Sequence, residues 1–102
     1  MKVFISQPML GRSDEEIKIE RDAIIKDLEN KGFEVIDSMI AENAPETSQQ
    51  GAWYLGESIK LLSGADFAYF AKGWDIARGC RIEHAVAEEY DIKILWNNHD
   101  KL

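Results

Sequence analysis

Apolar residues along the chain fall into four short continuous runs separated by segments of helical spacing. Lys2 to Ser6 is the first run, stopped by Pro8 and Gly11, and it predicts a buried strand. Ser13 then stands where a helix N-cap is needed, and Glu16 three residues later completes a capping box. Ile17, Ala23, Ile24 and Leu28 recur at helical spacing to about Lys31, and Gly32 ends the helix. Phe33 to Ile36 predicts a second strand. Asp37 to Gly51 is polar and irregular, with Pro45 inside it. From about Trp53 to Ser63, Leu55, Ile59 and Leu62 share one face of a second helix. Asp66 to Phe70 predicts strand three, Ala71 to Gly79 a glycine-bearing loop, Cys80 to Tyr90 a third helix, and Ile92 to Trp96 strand four, followed by a polar tail.

This βα, βα, βα, β order requires right-handed crossovers and a parallel sheet. The near-continuous apolar runs of strands three and four suit strands covered on both sides. The expected fold is therefore α/β: a three-layer flavodoxin-like (Rossmann-like) sheet of strand order 2-1-3-4, with helices on both faces. Ligands of such sheets bind outside the C-terminal strand ends at the switch point, here between strands one and three. Two rim segments meet there, Ser6 to Arg12 and Ala71 to Gly79.

Composition narrows the classes. The 102 residues fit one domain, and 45% apolar with 30% charged residues is ordinary for a folded chain. A net charge of −7, with twelve scattered Lys and Arg, argues against a nucleic-acid partner. A single cysteine, Cys80, excludes an internal disulfide, and no zinc spacing exists. No run reaches the ~18 apolar residues of a membrane span, and the N-terminal run is too short for a signal peptide. The expectation is a cytoplasmic protein with no membrane partner, metal or cofactor.

Chemistry is expected at the two rim segments. The first has one glycine, Gly11, rather than the spaced glycines of a P-loop or dinucleotide motif. Arg12 either contacts a ligand phosphate or pairs with the acids of Asp14-Glu15-Glu16. Glu83 lies early in the third helix, where the helix dipole would hold it ionised. An ionised, positioned carboxylate can attack an anomeric carbon and carry a covalent glycosyl intermediate, although an acid early in a helix is also an ordinary dipole complement. Successive helix residues point about 100° apart, so His84 reads as a partly exposed neighbour. Trp74 is the aromatic best placed to meet a ligand, because it lies in a rim loop. Cys80 reads as a small buried residue.

The opening KVFISQPMLGR, the stretch SGADFAYFAKGWDIARGCRIEHAVAEEYDIKIL and the βα order between them resemble the nucleoside 2-deoxyribosyltransferase-like superfamily, in particular a compact bacterial and phage branch of unknown function. The resemblance covers nearly all of residues 1–102 as one such domain, with Asp37–Gly51 weakest. It implies cleavage or transfer at the N-glycosidic bond of a nucleoside or nucleoside monophosphate. Glu83 matches the family nucleophile, and Asp75 matches an aspartate that holds the base. The implied substrate-binding positions are Ser6, Gln7, Pro8, Met9, Gly11 and Arg12 of the first rim segment, with Gly73, Trp74 and Gly79 of the second. Ser58 stands where the family's second helix carries an acid that assists the leaving base, and Glu57 beside it faces another direction. Such acid assistance is worth typically 10²–10⁴-fold. Three readings follow. The first is an N-glycoside hydrolase or deoxyribosyltransferase. The second is a non-catalytic nucleotide-binding sensor or sponge. The third is an interaction domain using Trp53, Tyr54 and Trp96 as exposed interface aromatics. The resemblance also implies a homo-oligomer, dimer or tetramer, because family active sites are commonly completed by a neighbouring subunit.

Overall fold

The computed structural model describes residues 1–40 and 43–96. Its elements are β1 (Lys2–Ser6), α1 (Asp14–Asn30), β2 (Glu34–Val35), α2 (Gln50–Leu62), β3 (Phe67–Phe70), a 3-10 turn (Trp74–Ile76), α3 (Arg78–Glu89) and β4 (Lys93–Trp96). All four strands are parallel in the order β2-β1-β3-β4, the expected doubly wound sheet.

Side-chain alternation along β1 and β3 divides the interior in two. Val3 and Ile5 of β1 meet Leu28 of α1, with Phe33, Phe67, Tyr69 and Leu95 packed around them. Phe4, Ala68 and Phe70 point the other way and meet Leu62 of α2 and Ala87 of α3. Helices therefore cover both faces, giving three layers. The central strands are buried from both sides, which is why their sequences read as unbroken apolar runs.

Local signals set the element ends. Ser13 caps α1: its Oγ accepts from the Glu16 N–H at 3.1 Å, as the capping box predicts. Gly32 turns the chain at φ +89°, a conformation that costs glycine little. Three boundaries differ from the sequence reading. The second strand pairs only over Glu34–Val35, because it lies at the sheet edge and has β1 alone to hold it. α2 begins at Gln50 instead of near Trp53. α3 begins at Arg78 instead of Cys80, and the loop before it contains the 3-10 turn. The polar tail after Trp96 lies outside the described residues. Among those described, no helix is long and apolar enough to cross a membrane.

Candidate functional site

β1 ends on its α3-facing side at Ser6, which pairs in register with Phe70 of β3. α3 turns Cys80, Glu83 and Ala87 inward, at the spacing of one helix face. These two placements bring residues 77 positions apart into contact: the Ser6 hydroxyl donates to Glu83 Oε1 at 2.6 Å, a buried bond. Its short length is that of a charge-assisted hydroxyl–carboxylate pair. Cys80, one turn before Glu83, lies beside the same hydroxyl. Among the described residues Glu83 Oε2 takes no hydrogen bond, so the carboxylate is held through Oε1 alone.

Electrostatics at this centre depart from the sequence expectation. Glu83 is only 7% exposed, and burial pushes its carboxyl above the ordinary glutamate value, with the Ser6 hydrogen bond opposing the shift. Glu83 is the sixth residue of α3, past the turn whose free N–H groups carry the positive end of the dipole. Desolvation, and not the helix field that the sequence suggested, therefore sets the direction of the shift. Burial also pushes the Cys80 thiol up to about 11, so it stays protonated at neutral pH.

The two rim segments do meet. A Cβ built on Gly73 would lie 3.6 Å from the Pro8 ring, so the loops after β1 and β3 touch. Gly73 (φ +89°) and Gly11 (φ +78°) both adopt the left-handed conformation, and Gly11 serves a turn in which Arg12 N–H donates to the Met9 carbonyl at 3.2 Å. Met9 is exposed and Gly79 sits, exposed, in the first turn of α3.

Several expected ligand groups are already engaged. Arg12 Nη1 donates to Glu20 Oε1 at 2.9 Å and to the Pro8 carbonyl at 3.0 Å. Its ion-pair partner is Glu20 of α1, and of the expected acids Glu16 acts on it through Coulomb attraction without a direct contact. The Gln7 amide donates to the Ile17 carbonyl and to Glu20, both at 2.9 Å, which leaves its buried Oε1 without a partner. Trp74 is half-buried and lies against His84 at 4.3 Å and 22°, within a group that includes Phe70 and Trp96. That face of the indole is covered by protein. His84 is partly exposed, as expected, with Nδ1 3.3 Å from Glu88 Oε1. Asp75 is exposed in the 3-10 turn, with no hydrogen bond or ion pair among the described residues. Ser58 is half-buried on α2, and Glu57 is occupied by Lys60 at 3.2 Å. Trp53, Tyr54 and Trp96, expected to be exposed, are half-buried. Tyr54 packs edge-on to Trp53, and its hydroxyl accepts from Ala44 N–H.

Arg21 was not anticipated. It is 7% exposed, donates through Nη2 to Ser38 Oγ at 2.8 Å, and leaves Nη1 without a partner among the described residues. Ser38 in turn donates to the Ile5 carbonyl at 3.2 Å. Three consecutive residues at the end of β1 and just past it thus anchor separate polar networks: Ile5 to α1 and the segment after β2, Ser6 to α3, and Gln7 to α1. The available signal was Arg21's position in the apolar stripe Ile17, Arg21, Ile24, Leu28, where a cation must find buried partners.

Among the described residues no group of three or more His, Cys, Asp or Glu could hold a metal ion. Grooves of about 110 Å³ beside α1 and about 410 Å³ along the outward face of α3 both lie away from Glu83. No curated protein and no solved structure matches the sequence. A family model described as "Domain of unknown function (DUF4406)" matches residues 1–96, nearly the whole chain, and the protein belongs to that family.

Proposed function

We propose that the domain cleaves the N-glycosidic bond of a nucleoside or nucleoside monophosphate, with Glu83 as the nucleophile. The observation that carries this reading is the buried Ser6–Glu83 pair at the switch point, with one carboxylate oxygen held and the other without a hydrogen bond among the described residues. A ligand at the C-terminal ends of β1 and β3 faces this carboxylate.

In this reading Glu83 Oε2 attacks C1′ of the sugar. The C1′–N bond breaks, and the base leaves with the bonding electrons and takes up a proton. The resulting glycosyl ester at Glu83 is resolved when water, or a second base, attacks C1′ and releases the carboxylate. Ser6 steadies the carboxylate in the free enzyme and again as it departs. The rim contact of Pro8 with Gly73 brings the loops carrying Gln7, Met9, Asp75 and Trp74 to one edge of this centre.

Because burial raises the Glu83 pKa, a larger share of the enzyme holds the inert, protonated acid as pH falls. The acid limb of kcat/KM is expected at a higher pH than an ordinary glutamate would give. The test is incubation with a panel of nucleosides and nucleoside monophosphates, with free base followed by chromatography. Base release that Glu83→Gln abolishes supports the mechanism; base release unchanged in that variant overturns it.

A second reading has its own observation. Ser58 supplies no carboxylate from α2, and Glu57 is turned to Lys60. A centre without that acid suits a nucleotide-binding module that holds its ligand without cleaving it. Thermal stabilisation by a nucleotide with no base released would favour this reading.

A further inference from the structure

Pairing of β1 with β2 stops before β1 does. Ile36 N–H still donates to the Val3 carbonyl at 2.9 Å. The Ile5 carbonyl, two residues on and turned to the same side, is the next acceptor of that ladder. It takes the Ser38 hydroxyl at 3.2 Å in place of a backbone N–H. Here the chain after β2 leaves the sheet, and Arg21 of α1 reaches in, its Nη2 donating to Ser38 Oγ at 2.8 Å.

Two buried polar atoms at this junction lack hydrogen-bond partners among the described residues: Arg21 Nη1 and Gln7 Oε1. Arg21 is 7% exposed and Gln7 6%. Asp37 and Asp22 attract the guanidinium through space, but no carboxylate of the described residues touches it. The Gln7 amide nitrogen faces two acceptors, the Ile17 carbonyl and Glu20, which fixes the amide and leaves its oxygen as the orphan. Ile17 stands one turn before Arg21, so both side chains lie where α1 packs on the end of β1.

The two orphans have opposite needs. Arg21 Nη1 needs an acceptor, and its buried charge needs an anion. Gln7 Oε1 needs a donor. Ser38 spends its own proton on the Ile5 carbonyl. Water meets both needs for hydrogen bonds but does not offset the charge. Carboxylate and sulfate only accept. A phosphate group, with a second pKa of about 6, accepts from a guanidinium and keeps a proton to donate. Arg12, the cation that the sequence suggested for phosphate, is already paired with Glu20.

We propose that Arg21 and Gln7, with Ser38 holding the guanidinium, form a phosphate subsite where α1 packs on the end of β1. A phosphate oxygen accepts from Arg21 Nη1, and the phosphate hydroxyl donates to Gln7 Oε1. The subsite is anchored on Ile5 and Gln7, on either side of the Ser6 that holds Glu83, and it does not rest on the proposed function.

Isothermal titration of the full chain with inorganic phosphate, near pH 6 and at constant ionic strength, tests it without any turnover. Far-UV circular dichroism checks folding. Wild type is expected to bind phosphate at least about tenfold more tightly than sulfate, which has no proton to donate. Arg21→Met is expected to abolish binding, and Arg21→Lys, which keeps the charge but loses the planar fork, to weaken it at least about tenfold. Arg12→Met is expected to retain it. Nucleoside monophosphates and their parent nucleosides identify the source of the phosphate. A monophosphate that binds more tightly than inorganic phosphate, and loses that affinity in Arg21→Met, places the group on a nucleotide; equal affinities make free phosphate the ligand, and both results uphold the subsite. Four results would overturn it: no phosphate binding by wild type at millimolar concentration, sulfate bound as tightly as phosphate, binding that survives Arg21→Met, or binding lost in Arg12→Met alone. Strong coupling of Arg21→Met with Glu42→Gln in urea melts would overturn it too, because the counter-ion would then belong to the chain itself.

Discussion

Replacing Glu83 by glutamine isolates the consequence of burying one carboxylate. The two side chains have nearly the same shape, and the amide oxygen can still accept from Ser6. What changes is the charge. The folded protein holds the Glu83 proton more tightly than the unfolded chain does, because burial raises its pKa. Below the unfolded value, near pH 4.3, both states are protonated and glutamate resembles glutamine. As pH rises through the window up to the folded value, the unfolded chain ionises first. Stability then falls by up to about 1.4 kcal/mol per unit, and it is constant above that window.

The magnitude at neutral pH follows from two opposing contributions. Taking a carboxylate out of water costs several kcal/mol after relaxation. The 2.6 Å bond from Ser6 returns about 1.5–3 kcal/mol as a charge-assisted contact, against roughly 1 for its neutral counterpart. Glu83→Gln is therefore expected to stabilise the fold by about 1–2 kcal/mol near pH 8, with little effect near pH 4. For a domain of this size that is a rise in Tm of roughly 4–8 °C per kcal/mol. Urea unfolding of both proteins across this range measures the difference, and contributions from other titrating groups cancel in the subtraction. Parallel stability curves, or a gap that grows towards acid, would show that Glu83 is not held as described.

Three further outcomes are expected. Leu62→Ala empties a fully buried position between α2, β1 and β3, and should cost about 2–5 kcal/mol in denaturant melts. Ser38→Ala strips the buried Arg21 of its hydrogen-bond partner and should cost about 1–3 kcal/mol, whereas Arg21→Met removes the buried charge and should come out within about 1 kcal/mol of wild type; reversal of that order in urea melts would refute the network. Cys80, with its thiol pushed up to about 11, should react with a disulfide reagent at pH 8 only as fast as the protein unfolds, a rate read from thiolate release in native and denatured samples.

Much of this fold was legible along the chain. The strands and helices announce themselves through apolar runs, the Ser13–Glu16 cap and Gly32, all of them effects within a few residues. Right-handed crossovers limit the possible strand orders, the flavodoxin-like order 2-1-3-4 among them is the one the structure shows, and it places the candidate site at the ends of β1 and β3. Element ends were less legible where neighbours decide them. Glu34–Val35 is short because an edge strand has one partner, and α3 starts early because the 3-10 turn feeds directly into it.

The sequence by itself determined the periodicities, the caps and the sign of the charge, and through them the architecture and the neighbourhood of Glu83. Tertiary structure alone decided the direction in which that carboxyl's pKa moves, since burial raises it where the chain order suggested a helix field that would lower it. It also decided that Arg12 and Gln7 are held by Glu20, that Trp74 lies against His84, and that Arg21 is buried beside Ser38. Each of these depends on which groups meet across separations of up to 77 residues. Propensity and spacing act over a few residues, whereas desolvation and hydrogen-bond pairing are set by whatever the fold brings near.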